Sequence, residues 1–165
     1  MSNKKILDPI KGVHGSVSFI GTDGKNFVPM RKANLSLNAL YSHIVDCLRD
    51  GTSVTKYIDR ISLGTGGHSA GDDTTPIPPE PDDTALESEI DPPGKKSIVS
   101  RTSATSYEVE YSTTFLKSEC NARITEAGLW LNSPNDVLTN RVTFPAFEKT
   151  SSLILIVRWN IYFTI

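Results

Sequence analysis

Cysteine is almost missing from this chain. Cys47 and Cys120 are its only two, too few for the disulfide framework that small secreted domains rely on. Long apolar runs are missing too. The most apolar stretch, Leu153–Val157, is short and Arg158 interrupts it, so no segment has the length of a membrane-spanning helix. The opening Met-Ser-Asn-Lys-Lys-Ile-Leu-Asp-Pro carries basic residues with no apolar core behind them, which is not the pattern of a secretory signal. An excess of either charge is also lacking. With 17 basic and 19 acidic residues the net charge is −2, and no global field draws in nucleic acid or a membrane. Helix-favouring runs are scarce.

Serine, threonine and β-branched residues are plentiful, and 165 residues suffice for one core. Charge is uneven along the chain. Between Asp72 and Asp91 stand eight acids and no lysine or arginine, leaving +6 for the rest. This stretch either meets a basic surface on another copy or stays solvated and open by self-repulsion.

Hydropathy periods divide the chain into residues 1–33, an N-terminal arm or hairpin, and residues 34–165, a β-sandwich assembly domain. In the first part a short strand at Val17–Ile20, a turn at Thr22-Asp-Gly24 and a second strand at Phe27–Val28 form a hairpin that supplies no core. Deleting residues 1–30 is therefore expected to leave the domain folded. Leu37, Leu40, Tyr41, Ile44, Val45 and Leu48 share one face of a helix over Ser36–Asp50, with Gly51 past its end. From Tyr57 the period becomes two. Strands are expected at Tyr57–Leu63, Tyr107–Phe115, Ile124–Leu131, Asn140–Phe144 (stopped by Pro145) and Leu153–Ile165. Within Ile124–Leu131, Gly128 marks a bulge or a close approach. A long Pro- and acid-rich loop at about 67–97 separates the first strand from the others, with a helical turn at Thr84–Ile90. The fold class is mainly β: an antiparallel β-sandwich with one amphipathic helix near its N-terminus and an extended N-terminal arm.

Motifs for chemistry are sparse. The cluster Gly64-Thr-Gly-Gly67 lacks the Gly-Lys-Ser/Thr ending and the following helix of a phosphate loop, so it reads as a turn leaving a strand. His68, Asp72, Asp73, Glu80, Asp82 and Asp83 offer oxygens to a hard cation but lack the order of a calcium loop, and solvation is the simpler reading. Glu108 and Glu110 lie two apart on one strand face with no companion base or nucleophile, as a wet sheet face would have. Glu126 reads as an exposed edge charge, and Arg141 and Arg158 as cations that pair either with acidic neighbours in a particle or with surface acids inside one subunit. Cys120 has no basic neighbour in sequence to activate it. No catalytic, cofactor-binding or metal-binding residue is assigned, and an enzyme is not expected.

Three stretches taken in order resemble a family of tailed-bacteriophage virion proteins. They are Tyr57-Ile-Asp-Arg-Ile-Ser-Leu-Gly-Thr-Gly66 with Asp83–Ile90 after a variable loop; Ile124-Thr-Glu-Ala-Gly-Leu-Trp-Leu131; and Asn140-Arg-Val-Thr-Phe-Pro145 with Glu148-Lys-Thr-Ser-Ser152 and a final strand through Trp159. The likeness covers about residues 34–165. The long loop between Gly67 and Asp82 and the first 33 residues depart from the pattern. The resemblance implies a β-sandwich subunit of a tail, collar or fibre, made in the bacterial host cytoplasm and carried in the virion. Its partners would be other copies of itself and other virion proteins, with no nucleic acid, membrane or cofactor. A neck or collar component, or a fibre anchor, is the favoured expectation, with open sheet edges paired between subunits. A capsid decoration (cement) protein is the alternative within that class. From another class comes a carbohydrate- or receptor-binding module using exposed Tyr and Trp, against which stands the expected burial of Trp130 and Trp159.

Overall fold

Alternating apolar residues place the C-terminal strand at the heart of a mainly β, antiparallel sandwich. The computed structural model describes residues 12–21, 26–50, 56–132 and 136–164. Its elements run β1 (Gly12–Gly21), β2 (Asn26–Ser36), α1 (Asn38–Asp50), β3 (Ile58–Gly64), β4 (His68–Ser69) and β5 (Asp72–Pro76). There follow β6 (Lys96–Ser97), β7 (Ser100–Thr105), β8 (Glu108–Phe115), β9 (Arg123–Leu131), β10 (Val137–Glu148) and β11 (Leu155–Thr164). One layer has the strand order β2-β1-β11-β8-β7 and the other β6-β3-β9-β10-β2, while β4 and β5 make a separate two-stranded ribbon.

Two segments change layers. Along β2, Asn34 pairs with Gly15 of β1, and the next two residues, Leu35 and Ser36, pair with Arg141 and Asn140 of β10. On the opposite border β6 pairs with Arg60 and Ile61 of β3, and the Ile98 N–H donates to the Asp59 carbonyl at 2.7 Å. One residue later the Val99 N–H donates to the Ser112 carbonyl at 2.8 Å, and β7 continues along β8. Over these stretches the chain ties its own layers together, while β6 and β7 stay the end strands of the nine-stranded order. Backbone donors that would otherwise face solvent at the corner gain partners within the molecule.

The inner faces interdigitate. From β11 come Leu155, Val157, Trp159 and Ile161, from the facing layer Leu129, Val142 and Phe144, all in one buried cluster. The N-terminal region belongs to it. Val13, Val17 and Phe19 alternate inward along β1, and the Phe19 ring lies 5.0 Å from Phe144 and 5.1 Å from Phe147. The hairpin expected at residues 1–33 is present as β1 and β2, but the reading of it as an arm outside the core is overturned. Pairing with β11 along ten residues seats β1 inside its layer, and alternation then carries every second side chain onto the facing layer. The first 11 residues and the turn at Thr22-Asp-Gly24 lie outside the described residues.

Helix α1 begins at Asn38 rather than Ser36, because Leu35 and Ser36 are held in the ladder with β10. Its apolar face divides. Leu37, just before it, and Leu40 are buried and Ile44 packs on the core, whereas Tyr41, Val45 and Leu48 are 42%, 58% and 80% exposed. A single helix laid over a sandwich border touches it along a narrow stripe, so a wide apolar face is only half used.

Three local expectations also change. Strand β10 continues through Pro145 to Glu148, since its ladder with β9 is interrupted between Thr143 and Phe147, where a missing N–H costs little. Residues 84–90 are irregular rather than helical and meet β3 through a bridge between Glu89 and Gly64. Part of the loop is regular, forming the β4–β5 ribbon.

The two tryptophans are both buried, at 3% and 0% exposure for Trp130 and Trp159, and differ in their polar ends. The Trp130 indole N–H donates to Ser62 Oγ at 2.8 Å, whereas the Trp159 indole nitrogen has no partner. Trp130→Phe should therefore cost about 1–3 kcal/mol beyond its lost contacts, by orphaning the fully buried Ser62 hydroxyl. Trp159→Phe removes an unsatisfied donor and should cost less. Urea melts of the two variants give the ordering, and equal losses would contradict it.

Candidate functional site

The most highly organised polar cluster lies beneath the long loop, on the outer face of β9 and β10. Residues 123–131 make β9, whose residues from Ile124 onward are all buried, because the loop covers the face that the other layer does not. In the middle of that run stands Glu126, with no exposed surface. Its Oε1 accepts from the backbone N–H groups of Ser88 at 2.8 Å and Gly66 at 3.2 Å. Its Oε2 accepts from the Glu87 N–H at 3.2 Å and from Arg141 Nη2 and Nε at 2.7 and 3.1 Å. One carboxylate thus satisfies five donors, three of them loop amides. Such saturation is what makes a buried charge tolerable. The reading of Glu126 as an exposed edge charge is overturned.

Arg141 completes the arrangement. Its Nη1 donates to Asp83 Oδ2 at 2.7 Å, so the guanidinium ties the loop's second limb to the sheet, while Glu126 reaches both limbs. Burial opposes its charge, but the hydrogen bonds to Asp83 and Glu126 prevail and raise its pKa above the ordinary arginine value. Threonines add to the attachment: Thr125 Oγ1 donates to the Gly66 carbonyl and Thr143 Oγ1 to the Ile77 carbonyl, each at 2.7 Å.

The glycine cluster is a turn leaving β3, as expected, and the carboxylate explains its composition. A Cβ on Gly66 would stand 2.8 Å from Glu126 Oε1 and 2.6 Å from Glu87 Cβ, and one on Gly64 2.6 Å from Glu126 Oε1. Gly128 proves to be a point of close approach. Leu86 descends from the loop onto it, and with Leu37, Trp130 and Leu138 forms a second small core under the loop.

The loop acids are mostly occupied singly. Asp72 accepts from the Thr74 and Thr75 hydroxyls and the Thr74 N–H, which together lower its pKa to about 2. Asp73 pairs with Arg123, whose hydrogen bonds hold that carboxyl below the ordinary range. Both ring nitrogens of His68 face carbonyl oxygens, Ser69 at 2.9 Å and Thr65 at 3.0 Å, and the Ser69 contact leads in raising its pKa. Among the described residues no group of three or more His, Cys, Asp or Glu is placed to hold a metal ion, and no helix is long and apolar enough to cross a membrane.

The remaining sequence candidates lie apart from this cluster. Cys120 is buried, and burial pushes its thiol up to about 12, which suits packing rather than nucleophilic attack. Cys47 is half-buried on α1, its Sγ 3.6 Å from His43 Nε2. Glu108 and Glu110 lie on the outer face of β8 and are half-buried, drier than a fully solvated face. Arg158 is exposed on the same layer. No family model, curated protein or solved structure matches this chain.

Proposed function

We propose that the protein is a structural component of a tailed-phage virion, of the neck, collar or fibre-anchoring kind, working in multiple copies. The observation that carries this reading is the anchored loop. A segment of some thirty residues, rich in proline and acid, is not left to solvent but is fixed to the sheet by a fully buried carboxylate and its arginine. Ordering so long a loop is costly in entropy, and a rigid outer rim is useful when another surface must fit against it. That rim shows Ile77, Pro78, Glu80, Pro81 and Asp82 to solvent. The resemblance in the order of β3, β9, β10 and β11 motifs supports the same class.

Because two segments already tie the layers together, assembly would run through the loop rim and the outward side of α1, where Tyr41, Val45 and Leu48 are exposed. Light scattering after size exclusion of the full chain at tens of micromolar tests it. A discrete oligomer that cosediments with tailed particles is expected. A monomer that fails to cosediment would remove the reading.

A further inference from the structure

At one end of the β2-β1-β11-β8-β7 layer lies an open cleft lined by Ser16, Tyr107, Glu108, Asn160, Tyr162 and Phe163, with Thr105 at its rim. Cross-strand register builds it: His14 pairs with Tyr162, and Tyr162 with Glu108, while Ser16 pairs with Asn160, and Asn160 with Glu110. Its hydrogen-bonding balance is lopsided. The Asn160 amide oxygen is buried and has no partner. Glu108 and Glu110, roughly 7 Å apart along one strand face, are half-buried, and among the described residues no cation lies within ion-pair distance of either. Among the described residues no lysine or arginine lines the cleft, yet three aromatic rings do, with Tyr107 54% and Phe163 42% exposed. The Tyr162 ring is held in place by stacking on His14, centroids 5.6 Å apart. Unpaired carboxylates, an orphan carbonyl and aromatic faces together attract an ammonium group, through charge, hydrogen bonding and cation–π contact.

The chain itself supplies one at the right place. Strand β1 starts at Gly12, paired with Thr164 and two residues from His14, so the preceding residues join the fold beside the cleft. Those eleven residues carry Lys4, Lys5 and Lys11 against a single acid, Asp8. We infer that the cleft is the docking site for this basic N-terminal segment, a lysine ammonium seated between Glu108, Asn160 Oδ1 and the tyrosine rings. The inference stands apart from the virion reading and holds or fails without it.

Zero-length carbodiimide coupling of the full chain, followed by peptide mass spectrometry, tests it. The ion pairs Lys95–Glu89 and Lys96–Glu119 serve as internal controls that must couple. The expected result is an isopeptide bond from Lys4, Lys5 or Lys11 to Glu108 or Glu110. Asn160→Leu with Tyr162→Ala should lower its yield about five-fold with the controls unchanged. A second measurement does not depend on that double variant folding: the combined Lys4→Glu, Lys5→Glu and Lys11→Glu variant should shift the Asn160 side-chain amide resonance. Controls that couple while Glu108 and Glu110 never join an N-terminal lysine would overturn the inference. So would an Asn160 resonance that ignores the charge reversal and moves instead on adding a neutral saccharide such as N-acetylglucosamine.

Discussion

Glu126→Ala should lower the unfolding free energy by about 3–5 kcal/mol, one of the two largest losses expected for this protein. The substitution deletes the acceptor of three loop amides, Gly66, Glu87 and Ser88, and strips Arg141 of its buried partner. Asp83 still faces the guanidinium, so the loop's second limb stays tethered more weakly. Glu126→Gln keeps an oxygen for the amides and loses the charge, and should fall between the wild type and Glu126→Ala. Urea melts measure the totals. Hydrogen exchange adds the local reading, with faster exchange at Gly66, Glu87 and Ser88 than in β11. A loss below about 1 kcal/mol for the alanine variant, with loop exchange unchanged, would mean that the network does not hold the loop.

Removing the first strand is the second. A chain lacking residues 1–21 should show no cooperative melt, because β11 would lose its neighbour on one side and the core would lose Val13, Val17 and Phe19. The single change Phe19→Ala grades the same claim. Phe19 is fully buried against Phe144 and Phe147, and its truncation should cost about 3–5 kcal/mol. A well-behaved melt from the shortened chain would restore the hairpin to the status of an appendage.

The place of β1 in the core is not legible in the sequence alone. Alternation found β11 and its inward residues, and the switch to a period near 3.6 found α1, because a side chain's face follows from backbone geometry alone. Alternation in β1 is just as regular, but small residues at Gly12, Gly15, Ser16 and Ser18 hid it, and pairing with a strand at the far end of the chain is invisible locally. The buried network was harder still. Ile124-Thr-Glu-Ala-Gly-Leu-Trp-Leu131 is apolar on both faces, and a lone acid inside such a run is the one signal that could have exposed Glu126. Its partners come from three separate places in the chain, Gly66, Glu87–Ser88 and Arg141, and no spacing rule joins them. The glycines of the Gly64–Gly67 turn were legible as a turn, while the carboxylate that requires them was not.

The pairing of β1 with β11 sets a condition on how this molecule is made. The strand formed from the earliest described residues sits between β2 and β11, and β11 leaves the ribosome more than a hundred residues after β1. Until Leu155–Thr164 emerges, Val17 and Phe19 have only half of their neighbours, and a nascent or prematurely terminated chain presents sticky, degradable surface. Synthesis therefore carries its own inspection step. A copy stopped short of β11 leaves Val17 and Phe19 half covered, and damaged messages yield waste rather than a folded protein.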